Sequence, residues 1–448
     1  MPRTAAPQRS SPGRARARLE RLATAVGVTR VARVTGLDRA GVEVACAVRP
    51  GGHILQVSNG KGDTFEEAAR GAVLEAAELA CAEASPDVAA FASAAELAER
   101  GVAFVGEDAF GGAACGHRLA WCAAEDLATG AAVLTPAAAV HVPPQGGALL
   151  GLASVRWTSN GMGAHPMWAA ALLHALLEAV ERDQLARALP EGFTEEEVLR
   201  RRIGRAALAG LAPGVAARVA RLEARGFDVH LFDLAPARGI GLPVSGALLF
   251  DRERGPVPVT AGYACALDAA AALRGALLEA AQSRLTDIHG AREDVAAMDA
   301  RSVERLRRAC ERAARADARG ERGRPPFDSA ALRSGRTDFS VHLDPAPFTP
   351  VRPERVHPGP VHPEPVHPEP VHPEPVHPER SAAGAESKDA GAESKGHDLE
   401  RAVARVLRLL HRSGHPTVLA LDLAPPTLGV HVAKVLVPGL LLSELLSA

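Results

Sequence analysis

The chain has 448 residues, 47% of them hydrophobic, and its 51 basic and 53 acidic side chains leave a formal net charge of −2. This length allows two or three domains, or one large domain with insertions. The balanced charge excludes a global basic field for nucleic acid or an anionic membrane. Because aromatic residues make up only 3%, we expect a core of Ala, Leu and Val between closely packed helices.

The N-terminal residues 1–18 are rich in Arg, Pro and Ser, and no apolar run follows them, so they are not a secretory signal and we expect a disordered leader. The cysteines are scattered without C-x-x-C or zinc-finger spacing, which is typical of buried free thiols in a reducing compartment. They are Cys46, Cys81, Cys115, Cys122, Cys265 and Cys310. No stretch reaches the roughly 18 apolar residues of a membrane span. The sequence therefore predicts a cytoplasmic protein.

The globular pattern begins at Leu19 with a short helix, strands at 41–48 and 53–57, and a helix at 64–83. Asp63 or Thr64 can cap this helix, and Glu66 and Glu67 favour its first turn. Strands within 119–142 and at 153–158 follow. After them come a Gly-containing loop at 159–166 and a helix at 167–186, which is apolar on nearly every side and therefore buried.

An amphipathic helix is predicted at 195–225, strands at 228–234 and 242–250, and a third Ala/Leu-rich helix at 268–287. Beyond about residue 320 the apolar periodicity fades. The five-residue unit V-H-P-E-P repeats over 356–378, and A-G-A-E-S-K occurs at 383–388 and 390–395. Such proline density favours a semi-rigid polyproline II spacer. We therefore predict that deleting residues 356–395 leaves folding intact.

Order returns at Asp398, with a helix at 399–411 and strands at 417–423 and 431–437. Fifty residues are too few for a comfortable independent core. We therefore expect this segment to pack onto residues 19–320. Strands and helices are mixed throughout, which indicates an α+β or α/β protein.

Three of the apolar helices each carry two polar residues three positions apart: Glu75 and Glu78, Glu178 and Glu181, and Glu279 and Gln282. Residues at i and i+3 share one helical face. Burying such carboxylates is costly unless cations meet them, and oxygen ligands from several helices suit Mg²⁺ and bound phosphates. Arg182 and Arg284 follow two of the pairs and could contact phosphate or carboxylate. The alternative is that all three pairs are ordinary solvated helix faces.

Other motifs fit less well. The G-K-G at 60–62 lacks the frame of a P-loop. Ser159, His165 and Asp183 lack the G-x-S-x-G elbow of a hydrolase triad. The repeat histidines could chelate a soft metal, but a solvated linker is the better interpretation of their composition. They are His357, His362, His367, His372 and His377.

Several blocks together resemble the YcaO family, and they occur in the family's order. They include G-K-G before the first Glu pair, S-N-G before E-A-V-E-R-D, and E-A-A-Q-S-R. The blocks are residues 27–31, 34–39, 60–62, 159–161, 178–183, 279–284, 290–294 and 428–440. The last block is similar to the ending of stand-alone members, many of which work with a TfuA-like partner. The resemblance covers about residues 19–312 and 398 onwards.

The resemblance implies an α+β, YcaO-like fold with mixed or antiparallel sheets, whose Ala/Leu-rich helices carry the ATP site. The main part would be residues 19–320 and the C-terminal part 398–448, with 321–397 as a disordered insertion. It implies an ATP-dependent enzyme that phosphorylates a backbone amide oxygen of a ribosomally made peptide after a nucleophile adds to the carbonyl. The product would be an azoline or a thioamide. The partners would be a precursor peptide and a TfuA-like protein, with a homodimer left open and no nucleic acid or membrane.

By position, the resemblance assigns Mg²⁺ and phosphate to Glu75, Glu78, Glu178 and Glu181. Arg182 would contact phosphate, and Glu279, Gln282 and Arg284 would complete the ATP site. This chain departs from the family pattern in two regions. Leu79 replaces an Arg and Gly71 a Ser near the first pair, and His165, Pro166 and Ala170 replace a Gly-Asn loop and an acidic helix start. The Pro-x-Pro-x-Pro tail of azoline-forming members is also absent, which favours thioamide formation or a TfuA-linked role.

Two functions remain open. One is an ATP- and Mg²⁺-dependent peptide-modifying enzyme. The other is a catalytically degenerate scaffold that binds a peptide or partner. The retained carboxylates favour the enzyme, because unused buried charges cost stability and tend to be replaced.

Overall fold

The computed structural model describes residues 12–84, 87–113, 116–142, 155, 157–236, 238–290, 299–320, 326–327 and 390–441. The helices in these ranges are α1 (Pro12–Ala25), α2 (Phe65–Ala82), α3 (Ala94–Glu99), α4 (Ala137–Val140), α5 (Trp168–Ala188), α6 (Glu195–Arg201), α7 (Arg205–Leu211), α8 (Pro213–Ala224), α9 (Ala269–His289), α10 (Ala300–Ala318) and α11 (Ala390–Arg412). The strands are β1 (Arg30–Arg33), β2 (Glu43–Val48), β3 (Val57–Gly62), β4 (Ala90–Ala92), β5 (Leu119–Asp126), β6 (Ala132–Pro136), β7 (Met162–His165), β8 (Phe227–Asp233), β9 (Val244–Asp251), β10 (Val259–Cys265), β11 (Leu419–Asp422) and β12 (His431–Leu436).

The strands form three sheets. One has the order β1-β2-β3 and another β10-β9-β8, while the largest has the order β4-β5-β11-β12-β7 with β6 also paired to β5. All pairings between these strands are antiparallel. The predicted α+β class with antiparallel sheets is thereby confirmed.

The C-terminal segment completes the largest sheet. β11 pairs with β5 and β12 pairs with β7. α11 packs against α5, where Val406 and Leu410 join Leu176 in one buried apolar cluster. Burying each such side chain contributes about 1.5–3 kcal/mol. Residues after 390 thus share a core with residues before 190.

Three strands are each followed by a long helix that lies across them: β3 by α2, β7 by α5 and β10 by α9. Each strand has a glycine at the crossing. A Cβ atom at Gly60, Gly163 or Gly262 would lie 2.0, 2.3 or 2.1 Å from a backbone atom of the helix. Any side chain there would push the helix away, so glycine is required for the close contact.

The three strand–helix units form a closed ring. Each helix contacts its own strand and also the strand of the next unit: α2 contacts β7, α5 contacts β10, and α9 contacts β3. Small Ala side chains on the inner faces of these helices allow the close approach. The polar pairs of the three helices consequently meet near the centre of the ring.

The helices predicted at 64–83, 167–186 and 268–287 are confirmed as α2, α5 and α9. The hydroxyl of Thr64 caps α2 by accepting from the N–H of Glu67, and the carboxylate of Asp268 caps α9 by accepting from Ala271. The predicted helix at 195–225 divides into three. Gly204 precedes α7 and Pro213 begins α8, because proline cannot continue a helix.

The strand predicted at 53–57 is wrong. β3 begins at Val57, which pairs with Val48 at the end of β2. The predicted loop at 159–166 contains β7, and the sequence did not predict β10 or α10. β7 and the middle of β10 are rich in Gly and Ala, which have low strand propensity. α10 follows residues 291–298, which lie outside the described ranges.

Two helices extend into segments predicted to be disordered. α1 begins at Pro12 and α11 at Ala390, inside 1–18 and 321–397 respectively. Pro suits the first helical position, and Ala and Arg favour helix. Residues 1–11, the repeats at 356–378 and 383–388, and half of the strand predicted at 153–158 lie outside the described residues. The described residues 155, 157 and 158 are not in a strand.

The described cysteines are all free. Cys46, Cys81, Cys122 and Cys310 are buried and Cys265 is half-buried, whereas Cys115 lies outside the described ranges. The prediction of buried free thiols is confirmed for these four.

Candidate functional site

The centre of the ring opens into a cavity of about 2410 Å³. Its walls come from β3, β7 and β10 and from the inner faces of α2, α5 and α9, and it extends to α10. All six residues of the three polar pairs line it, together with Arg182. Small-molecule sites usually occupy about 300–1,000 Å³. The cavity can therefore hold a nucleotide and part of a second ligand.

The first carboxylate of each pair is held by the strand of its own unit. A backbone N–H sixteen residues earlier donates to it in all three cases. The bonds run from Asn59 to Glu75 (2.7 Å), from Met162 to Glu178 (3.0 Å) and from Tyr263 to Glu279 (3.3 Å). This equal spacing shows that the three units repeat one local geometry.

The second carboxylate of two pairs is held by the strand of the next unit. The N–H of Ala164 donates to Glu78 at 2.7 Å, and the N–H of Cys265 donates to Glu181 at 3.0 Å. In the third unit, Gln282 takes this position and lines the cavity. The backbone bonds fix the carboxylates in place and link the units into the ring.

Two cations lie among these carboxylates. The ammonium of Lys61, on β3, donates to Glu279 at 2.7 Å. The guanidinium of Arg182 donates to Glu178 at 3.1 Å and lies 3.9 Å from Glu181. Both cations thus contact carboxylates of α5 or α9.

Burial and neighbouring charges shift the carboxylate pKa values in opposite directions. Burial, reinforced by Glu178 and Glu75, raises the pKa of Glu78 well above its ordinary value. Burial also raises the pKa of Glu181 to about 7, against the opposing effect of Arg182. Burial would raise the pKa of Glu279 too, but the charge and hydrogen bond of Lys61 bring it below its ordinary value. Burial and the neighbouring carboxylates thus disfavour the ionised form of Glu78, and a bound cation would favour it.

The polar residues that line the cavity fit Mg²⁺ with phosphate. The amide oxygen of Asn59 and the Nε of Arg182 are buried without a hydrogen-bond partner, one being a hard oxygen ligand and the other a phosphate donor. Among the residues that the structure describes, no three His, Cys, Asp or Glu side chains form a ready-made metal cage. Mg²⁺ commonly binds through one or two carboxylates and completes its shell with substrate phosphates and water. The donor set thus suits a metal that arrives with a nucleotide.

Four of the five residues that depart from the family pattern also line the cavity, and Pro166 does not. Gly71, Leu79, His165 and Ala170 line it. The Nδ1 of His165 accepts from the N–H of Met167 at 3.0 Å. Burial lowers the pKa of His165, so its ring is neutral near pH 7 and presents Nε2–H as a donor.

Arg284 is not brought to the cavity. It is 4% exposed and donates to Asp38 at 3.0 Å and Asp251 at 2.8 Å. Five residues after Glu279, it lies about 140° further around the helix. Its contacts are therefore those of a buried structural ion pair, and we leave it out of the proposed site.

Asp183 is also structural. Its carboxylate is fully buried and accepts from Gln184, Arg187 and the N–H of Leu441. These bonds account for its oxygens, in agreement with the rejection of a catalytic triad.

Some cavity residues escaped the sequence reasoning. They are Asn59, His174, Tyr263 and Cys265. His174 stands four residues before Glu178, the place that Gly71 and Gly275 hold before Glu75 and Glu279. The sequence does contain a signal for them. It appears when the three helices are aligned on their polar pairs and the residues about sixteen positions earlier, on each strand, are compared.

A ring of strand–helix units that anchors carboxylates, an arginine and a lysine around one cavity defines a protein that binds an anionic ligand with a cation. Comparison with known proteins gives the family. The model described as "YcaO cyclodehydratase, ATP- and Mg²⁺-binding" matches residues 59–441. The chain belongs to the YcaO family, as the sequence motifs predict.

Relatives and solved structures agree with this assignment. An uncharacterized protein of Methanothermobacter thermautotrophicus is 32% identical over 275 residues, covering 60% of this chain and 68% of that protein. A protein of Rhizobium leguminosarum bv. trifolii, described as uncharacterized and in the tfuA 3' region, is 32% identical over 278 residues, covering 60% of this chain and 64% of that protein.

The structure of YcaO from Methanopyrus kandleri bound with AMPPCP and Mg²⁺ matches with a TM-score of 0.56 at 21% identity, covering 96% of this chain and 91% of that one. A heterocyclase in complex with substrate and cofactor matches with a TM-score of 0.59 at 17% identity, covering 99% of this chain and 54% of that one. At these identities the structural matches establish the fold. In the described part of the chain, no helix has the length and apolarity needed to cross a membrane.

Proposed function

We propose that this protein uses ATP and Mg²⁺ to phosphorylate the oxygen of a peptide backbone amide, which leads to a thioamide or an azoline in a ribosomally made peptide. The observation that carries the proposal is the ring of backbone-anchored carboxylates. Glu75, Glu78, Glu178 and Glu181 line one cavity together with Arg182 and Lys61.

The bound Mg²⁺ would neutralise the phosphate charge that develops during transfer. Glu75, Glu78, Glu178 and Glu181 would hold it, and their backbone bonds fix their positions before the nucleotide arrives. Arg182 would donate to a phosphate oxygen through its unpartnered Nε. Glu279 and Gln282 would complete the nucleotide site on α9. Prearranged charges of this kind supply most of the catalysis in phosphoryl transfer.

The reaction needs a nucleophile that adds to the amide carbonyl. A Cys, Ser or Thr side chain of the peptide would give an azoline, and sulfide would give a thioamide. In either case the carbonyl oxygen takes the γ-phosphoryl group and leaves as phosphate. For azoline formation, the amide nitrogen loses its proton as the C=N bond forms; for thioamide formation, the added sulfur loses its proton as the C=S bond forms.

The remaining cavity volume would accommodate the peptide. A TfuA-like protein is the proposed partner, supported by the relative from the tfuA 3' region and by the C-terminal motif. The proposed product is a thioamide, or an azoline if the peptide supplies the nucleophile.

The proposal is tested by calorimetric titration of ATP with and without Mg²⁺ into the wild type, Glu75→Gln and Glu178→Gln. Gln retains an oxygen that can accept the backbone bond and removes only the charge. Glu196→Gln, on the exposed side of α6, is the matched control. We expect Mg²⁺-dependent binding that both cavity variants weaken at least about tenfold and the control leaves unchanged. A folded wild type that binds no ATP, alone or with its partner, would favour the scaffold instead.

A further inference from the structure

Lys434, on β12, is a buried cation that the proposed chemistry does not use. It is 0% exposed, and its ammonium donates to the carbonyl oxygens of Thr158 and Asn160, each at 2.7 Å. Burial lowers the pKa of Lys434 to about 8, although the negative charge of Glu178 opposes this. A buried ammonium bound only to neutral carbonyls is costly. A function that requires it would explain its presence.

β12 also holds residues 158–161 through a third hydrogen bond. The N–H of Val435 donates to the carbonyl of Gly161 at 2.8 Å. Gly161 has a positive φ of 73°, and a Cβ atom there would lie 2.5 Å from the carbonyl oxygen of Val435. The segment 158–161 is therefore held tightly against β12 by two ammonium bonds and one backbone bond.

This fastened segment forms part of the cavity wall. Lys434 donates to the carbonyls of Thr158 and Asn160. Asn160 and the intervening Ser159 both line the cavity. The next residue after Gly161 is Met162, whose N–H donates to Glu178. The position of Glu178 thus depends on the backbone that Lys434 secures.

We propose that Lys434 is a positioning residue of the nucleotide site. It fixes the segment 158–161 so that Ser159, Asn160 and Glu178 face the nucleotide. This inference rests on the proposed binding of ATP with Mg²⁺. It also links the C-terminal segment to a site whose proposed ATP- and Mg²⁺-binding residues all precede residue 290.

The test compares Lys434→Met with Lys434→Arg. Met has nearly the same length but leaves both carbonyls without their donor, whereas Arg can still donate to them. The matched control is Arg202→Met. Arg202 is also a buried cation, 7% exposed, which donates to His230 at 3.0 Å and pairs with Asp317. It lies outside the cavity lining, so its loss reports only on general destabilisation.

Affinity is measured by titrating AMPPCP with Mg²⁺ at a temperature where all variants are folded, and backbone order at 158–161 by amide hydrogen exchange. We expect Lys434→Met to raise the Kd at least about tenfold and to accelerate exchange at 158–161. Lys434→Arg should restore most of the affinity, and Arg202→Met should change neither quantity.

Equal affinity in the wild type and Lys434→Met would overturn the role of Lys434 while leaving the proposed function intact. An equal loss of affinity in Lys434→Met and Arg202→Met would also overturn it, because the effect would then follow stability alone. Failure of the wild type itself to bind would overturn the proposed function and this inference together.

Discussion

Replacing Glu181 by Gln should stabilise the ligand-free protein at alkaline pH while weakening the nucleotide site. Glu181 is 9% exposed, and burial raises its pKa to about 7 from the ordinary 4.5. Between these values the folded protein keeps a proton that the unfolded chain has lost. Stability therefore falls as the pH rises from about 4.5 to about 7.

The magnitude follows from the size of the shift. A difference of about 2.5 pKa units, at 1.36 kcal/mol each, corresponds to at most about 3 kcal/mol. Gln can still accept from the N–H of Cys265 but carries no charge. Relative to the wild type, Glu181→Gln should gain up to about 3 kcal/mol at about pH 8.5 and nearly nothing at about pH 5.

The assay is urea unfolding at both pH values in the presence of EDTA, analysed by linear extrapolation. Glu99→Gln, an exposed carboxylate at the end of α3, is the matched control and should shift by no more than about 0.5 kcal/mol at either pH. Addition of ATP with Mg²⁺ should reverse the order of stability, because only the wild type keeps the full carboxylate set. If the free energies of unfolding of the wild type and Glu181→Gln differ by the same amount at both pH values, the reasoning is refuted.

Three further predictions address the fold. Gly163→Ala should destabilise the protein by about 1–3 kcal/mol or more, because its Cβ would meet the backbone of α5; Gly214→Ala, where nothing lies within 4 Å, should be neutral or stabilising in the same thermal melts. Arg284→Met should lower the free energy of unfolding by about 3–5 kcal/mol in urea. An unchanged Kd for ATP with Mg²⁺ in the folded variant would confirm that Arg284 is structural, whereas a large increase in Kd would show that it belongs to the nucleotide site. Deleting residues 356–378 should leave the melting temperature nearly unchanged in calorimetry, since the Pro-, His- and Glu-rich composition of this repeat predicts no contribution to the core; a fall of several degrees would contradict that.

Local pattern was a good guide wherever a helix was long. The boundaries of α2, α5 and α9 were predicted to within two residues, and the polar pairs stood out because Ala, Leu and Val make up most of the other residues in each helix. Periodicity of 3.6 residues is a property of the local chain and needs no partner to be visible. The six pair residues do face the cavity.

The strands of the site were harder to predict. β7 and β10 carry Gly163 and Gly262 at the points where a helix crosses. Glycine usually argues against a strand, but here it is required by the close approach of the helix. The tertiary contact thus requires glycine in the strands whose backbone N–H groups hold the carboxylates, and this glycine weakens the sequence pattern by which a strand is predicted.

The sequence by itself determined the family, the antiparallel α+β class and the three carboxylate-bearing helices, because these depend on local periodicity and on ordered motifs. Only the tertiary structure decided how those helices share one site. The ring closes when α9 contacts β3, more than two hundred residues earlier in the chain, and when β12 inserts beside β7. Arg284 faces Asp38 and Asp251 instead of the cavity, and Lys434 reaches back to Thr158 and Asn160. Contacts between such distant residues depend on the packing of the whole domain, which no local pattern specifies.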